Sequence, residues 1–73
     1  MKFPTDYKYN ILVEKNFKGL NTREYSIGLT DSIQGIIDII RKDTTGRVNA
    51  YGYKRFIVID QKNGSIREIS KRA

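Results

Sequence analysis

The segment Phe56-Ile57-Val58-Ile59-Asp60-Gln61-Lys62 ends an apolar run on an Asp-x-Lys pair, Asp60 and Lys62. A strand running into Asp-x-Lys is one half of many metal-dependent nuclease sites, and Asp43 upstream would add a second carboxylate for Mg²⁺. The competing reading is that Asp60-Gln61-Lys62-Asn63-Gly64 is a solvated hairpin turn, since Asp, Asn and Gly are the residues that turns select. The turn is the better account, because a catalytic site needs convergent groups in a pocket and this chain is short for a nuclease fold. The sequence has no Cys and no His. Disulfides, structural zinc and the usual nucleophile–base pairs are thereby excluded. Neither "TTGR" nor "GLNTREYSIG" has the spacing of a phosphate-binding loop. The expectation is a non-enzymatic protein with no cofactor, no metal and no small-molecule substrate.

A second constellation lies in "AYGYKRFIVID", Ala50 to Asp60, where aromatic and basic residues alternate before the apolar run. Tyrosines beside cations can stack bases while neutralising phosphates. The net charge of +6, from 14 Lys+Arg against 8 Asp+Glu, favours anionic partners. Arg23, Arg47, Tyr51, Tyr53, Lys54 and Arg55 are the candidate nucleic-acid or anion-binding residues. "YGYKRFIVI" loosely echoes the central strand of an RRM, but the second glycine of that pattern is missing. Acidic residues are scattered through every element, which weakens a single basic patch. Strand burial is the simpler role for each tyrosine. Two functions are therefore weighed: a protein-interaction module, with a host protein as partner, and a basic nucleic-acid-binding accessory protein.

The run "FIVI" is apolar on both faces, unlike an antiparallel strand with one wet side. One face can pack on a helix, and the other then needs a cover. A chain of 73 residues buries only roughly 60% of its unfolded surface, so oligomerisation is the aid left to it. A homodimer is expected, burying Phe56 and Val58, or Ile57 and Ile59. Ile39, at the edge of an apolar helical stripe, is the other candidate contact.

The elements that would position these residues follow from hydrophobic period. "YKYNILVEK" alternates, with Tyr7, Tyr9, Ile11 and Val13 on one face. "REYSIGL" alternates with Tyr25, Ile27 and Leu29 inward. Ile33, Ile36, Ile37 and Ile40 fall at helical spacing, after a Thr30 or Asp31 cap and an Asp31/Gln34 capping box. Gly35 costs about 1 kcal/mol relative to Ala within such a helix, so burial must hold it. "YKRFIVIDQ" and "SIREIS" read as a hairpin about Asn63-Gly64. A two-residue turn pairs Val58 with Ile69, whereas a three-residue loop pairs Ile57 with Ile69, which reverses the buried face. The result is one α+β domain spanning residues 1–73: a three- to four-stranded antiparallel sheet in β-β-α-β-β order with one amphipathic helix on one face.

The length, the order of elements and the isoleucine-rich "SIQGIIDIIRK" resemble the YopT-like small proteins of the Bacillus SPβ prophage, a family of unknown function. That resemblance implies a homodimer whose subunits each hold one helix and about three strands. It carries over no catalytic or binding residue. The longest apolar runs, "ILV" and "FIVI", are far too short to span a membrane, and Met1-Lys2-Phe3-Pro4 turns polar at once. A cytoplasmic protein without membrane association is expected.

Overall fold

A computed structural model describes residues 2–15, 23–43 and 52–72, with the backbone alone at Lys15, Arg23 and Tyr53. After a short 3₁₀ turn at Pro4–Asp6 come β1 (Tyr9–Lys15), β2 (Arg23–Thr30), α1 (Ile33–Lys42), β3 (Tyr53–Asp60) and β4 (Ile66–Arg72). The four strands form one antiparallel sheet in the order β2-β1-β3-β4, so β2 and β4 are its edges. The expected α+β class is observed, with four strands rather than the three that the family resemblance implies. No helix among the described residues is long and apolar enough to cross a membrane.

The helix lies against one face. Ile36 and Ile40 meet Ile11 and Val13 of β1 and Phe56 and Val58 of β3 in the buried core, with Tyr9, Tyr25, Ile27, Ile39 and Ile69 packed around them. Alternation along β1 and β3 places these residues on the helix side and Leu12, Ile57 and Ile59 on the other. Tyr7 falls before β1 begins. Leu29 departs from its expected inward position. A bulge at Ile27, where Ile11 pairs with Gly28 but Leu12 with Ser26, shifts the alternation of β2. Leu29 thus stands opposite Asn10, on the face away from the helix.

The helix starts one residue later than the sequence suggests. Ser32 is the N-cap, and the Gly35 N–H donates to its Oγ at 3.0 Å. Asp31 is used elsewhere. Its carboxylate accepts the Lys8 N–H at 2.8 Å and the Lys2 ammonium, tying the N-terminal segment to the β2–α1 corner. Gln61 ties the same segment from the other side, donating to the Pro4 and Tyr7 carbonyls at 3.0 and 2.8 Å. At its far end α1 is held by Lys71, whose Nζ donates to the Ile40 and Arg41 carbonyls at 3.1 and 3.4 Å. A cation there suits the negative pole of the helix.

The β3–β4 connection follows neither expected register. Ile59 pairs with Ile66 and Phe56 with Ile69, leaving a loop of Gln61, Lys62, Asn63 and Gly64. Asp60 selects it: its Oδ1 accepts the Lys62 and Asn63 N–H groups at 2.9 and 3.3 Å, and its carbonyl accepts the Gly64 N–H. Gly64 has φ +78°, which glycine adopts without strain. This register differs from the two-residue alternative by two residues, so it retains the same parity and puts Ile69 on the helix side.

Gly35 is required by contact rather than by backbone freedom. A Cβ there would sit 1.9 Å from Thr30 Oγ1 and 2.8 Å from Thr30 Cβ. Gly35→Ala should therefore lower stability by about 1–3 kcal/mol in denaturant unfolding, although helix propensity alone favours Ala by about 1 kcal/mol. A more stable variant would show that Thr30 yields.

The Asp31 contacts give a pH signature. The hydrogen bond from Lys2, then that from the Lys8 N–H, hold the Asp31 carboxyl below the ordinary aspartate value, and Lys2 is correspondingly raised. A lowered folded-state value means that Asp31 stabilises above the ordinary aspartate range and loses that contribution as pH falls through its own titration. The raised Lys2 contributes below the ordinary lysine range and loses that as pH rises. Carboxyl NMR should find Asp31 titrating below a free aspartate, and Lys2→Ala should move it upward; no movement would remove Lys2 as the cause.

Candidate functional site

The structure distributes the candidate binding residues rather than gathering them. Lys54 and Arg55 are consecutive on β3 and so project to opposite faces. Lys54 Nζ pairs with Asp43 at 3.1 Å, and the Asp43 side chain is almost wholly buried. This pair fastens the C-terminal end of α1 to the start of β3. Arg55 stands on the helix-free face among three carboxylates. Its Nε lies 2.6 Å from Glu14, and its terminal nitrogens lie 3.7 Å from Glu24 and 3.4 Å from Glu68. Arg55 Nε is buried without an aligned hydrogen bond, so its short approach to Glu14 is charge pairing more than directional bonding. The backbones of Arg23 and Tyr53 lie at the same end of the sheet, on β2 and β3. Arg47 and Tyr51 lie outside the described residues.

The Asp-x-Lys constellation comes apart as well. Asp60 caps the hairpin loop, while Asp43 is paired at Lys54, at the other end of β3. Six residues of strand separate the two anchor points, about 20 Å at the usual rise. Among the described residues no three side chains are grouped to hold a metal ion.

The candidate dimer contacts also change places. Phe56 and Val58 are buried in the core beneath the chain's own helix. Ile39 is spent on β2, where its side chain fills the space above Gly28; a Cβ on Gly28 would come within 2.8 Å of Ile39 Cδ1. The opposite flank of the helix is the open one, with Ile33 62% and Ile37 40% exposed. On the second face of β3, Ile57 is buried and Ile59 half-buried, beside half-buried Leu12 on β1. The helix therefore covers the Phe56/Val58 face of the doubly apolar run, and Ile57 and Ile59 lie on the other.

Sequence reasoning missed a concave feature beside the helix. Because α1 packs toward β2 and β1, a groove opens between the helix and edge strand β4. It holds about 350 Å³ at the end lined by Ile33, Ile37, Ser65 and Ile69, and continues into about 230 Å³ beside Ile40, Arg41 and Lys71. Its floor is Ile36, Val58 and Ile69, and its rim carries Arg41, Arg67 and Lys71. Asp60 also lines it, with its carboxylate bound to the loop N–H groups. On the helix-free face Glu14, Glu24 and Glu68 surround Arg55. The one available signal was the excess of isoleucines over those a single sheet contact can bury.

The Arg55 cluster is testable without reference to a partner. Arg55→Met should cost about 1–2 kcal/mol, because three carboxylates are left near one another at a partly exposed site. Adding Glu14→Gln should recover part of that loss, and 1 M salt should recover part as well. Equal losses in the single and double variants would show that packing, not charge, sets the effect. No family model matches the chain, and comparison with curated proteins and with solved structures returned no match.

Proposed function

We propose that this protein is a small non-enzymatic interaction module of the prophage type, homodimeric through its helix-free sheet face and binding a host protein partner in the α1–β4 groove. The observation that carries the reading is the groove itself, an apolar channel flanked by exposed Ile33 and Ile37 beside an edge strand. Exposed apolar surface in a groove with a polar rim is characteristic of protein contacts. The dimer rests on a different surface: half-buried Leu12 and Ile59 flank buried Ile57 outside the helix-covered core, and a domain of this size gains most from association. The resemblance to YopT-like proteins supports the same state. The nucleic-acid reading has less support, since Lys54 and Arg55 face opposite sides and both are paired with carboxylates.

The two surfaces separate experimentally. Light scattering should give about twice the chain mass of 8.5 kDa. Ile59→Glu should return it to the monomer mass, and Ile37→Glu should leave it unchanged. Proteins captured by the wild type should be lost with Ile37→Glu and kept with Lys62→Glu, a loop substitution of equal charge sign. A monomeric wild type would overturn the dimer; capture insensitive to Ile37→Glu, or abolished by nuclease treatment, would overturn the groove.

A further inference from the structure

Resting on that reading of the groove, we infer that its occupant is an extended acidic segment of a partner protein, which adds to β4 as a fifth strand with an acid-x-apolar-x-acid pattern. Three independent features of this one place converge on that occupant. The first is the free edge. Among the described residues β4 pairs with β3 alone, and its far side ends the sheet. The Asp60 N–H donates to the Ser65 carbonyl, so alternation turns the amides of Arg67 and Ile69 toward β3 and those of Glu68 and Ser70 toward the open edge. A strand laid there finds donors and acceptors waiting. A helix in the groove would leave them unused.

The second feature is the side-chain order on the groove face. Arg67, Ile69 and Lys71 occupy alternate positions of β4, and Ile37 of the helix overhangs Ile69. Cross-strand neighbours on one face sit directly opposite one another. A partner strand must then present an acid at Arg67, an apolar side chain at Ile69 and an acid opposite Lys71, where exposed Arg41 supplies the cation while the Lys71 ammonium holds the helix carbonyls. β4 is seven residues long, enough for a motif of five.

The third feature is charge, which also rejects a second copy of this chain. Among the described residues neither Arg41 nor Arg67 has an ion pair, and both are exposed. Antiparallel pairing of β4 with its own copy needs a two-fold axis perpendicular to the sheet. Such an axis returns each face to the same side, so the two basic rims would abut. An acidic segment meets that rim with opposite charge, and its association should be steered electrostatically.

The test uses two blocked peptides, one with the core Glu-Thr-Val-Thr-Glu and one with Lys-Thr-Val-Thr-Lys, titrated into the isotopically labelled full chain. The acidic peptide should shift the amide signals of Glu68 and Ser70 and slow their hydrogen exchange. It should bind at least tenfold more tightly than the basic one at low salt, with the difference shrinking at 500 mM salt. Arg67→Glu, at an exposed position, should remove most of the preference. Equal binding of both peptides, perturbation centred on β2, or no perturbation at millimolar peptide would overturn the inference. A third peptide, an acid-flanked amphipathic helix, separates the two levels of the claim. If it alone binds and Ile37→Glu abolishes that binding, the groove stands and the added strand falls; if all three peptides leave the Ile33–Ile37 flank unperturbed, the groove reading falls with it.

Discussion

The close approach of α1 to β2 governs the rest of this molecule. Gly35 admits Thr30 to a distance that any side chain would forbid, and Gly28 opens the space that Ile39 fills. Both contacts pull the helix toward one side of a four-stranded sheet. A helix is about 10 Å across, and four strands span roughly 14 Å from first to last, so one helix placed off centre cannot cover them all. The bulge at Ile27 serves the same placement, since it brings both Ile27 and Gly28 into the neighbourhood of the helix. What remains uncovered is the inner face of β4, and with it Ile33, Ile37 and Ile69. The groove is thus a consequence of two glycines on the other side of the helix.

The charges follow the same asymmetry. Lys54–Asp43 and Lys71 with the helix carbonyls anchor only the C-terminal end of α1 near β3 and β4. Toward Ile33 the helix and β4 diverge, which is where the groove is larger. Arg55, on the opposite face, is consumed by Glu14, Glu24 and Glu68. Among the described residues, three carboxylates meet Arg55 on one face of the sheet, while Arg41 and Arg67 on the groove rim have no ion pair.

Much of the fold was legible because period is a strong signal. Alternation in "YNILV" and "YKRFIVID" and the 3.6-residue spacing of Ile36 and Ile40 located the strands and the helix. The failures share a cause. Ile33, Ile36, Ile37 and Ile40 form one stripe by spacing, yet only Ile36 and Ile40 are buried, because the axial rotation of the helix is fixed by its contacts with Gly28 and Thr30, which helical period does not encode. Leu29 was misplaced because alternation does not reveal a bulge. The hairpin register depended on Asp60 acting through its side chain on two backbone N–H groups, a local bond that competes with the Asn-Gly turn signal. Lys54 and Arg55 read as free cations because their carboxylate partners come from four other elements or corners of the fold.

The doubly apolar strand β3 is best understood from the scale of the domain. Phe56 and Val58 are covered by the helix, and on the other face Ile57 is already buried while Ile59 and its neighbour Leu12 stay half-buried. A larger protein would add a second layer of helices on that side. In the proposed dimer this second face would be given to association, with the charged cluster at one end, where Arg55 neutralises part of the carboxylate repulsion that an apolar interface would otherwise amplify. The two open surfaces lie on opposite sides of one sheet, so occupation of one does not block the other. A dimer joined through the helix-free faces would carry its two basic grooves outward, facing away from each other, and could hold two acidic segments at once. Binding strength for a partner with two such segments would then rise through effective concentration, with no contact beyond those that a single groove supplies.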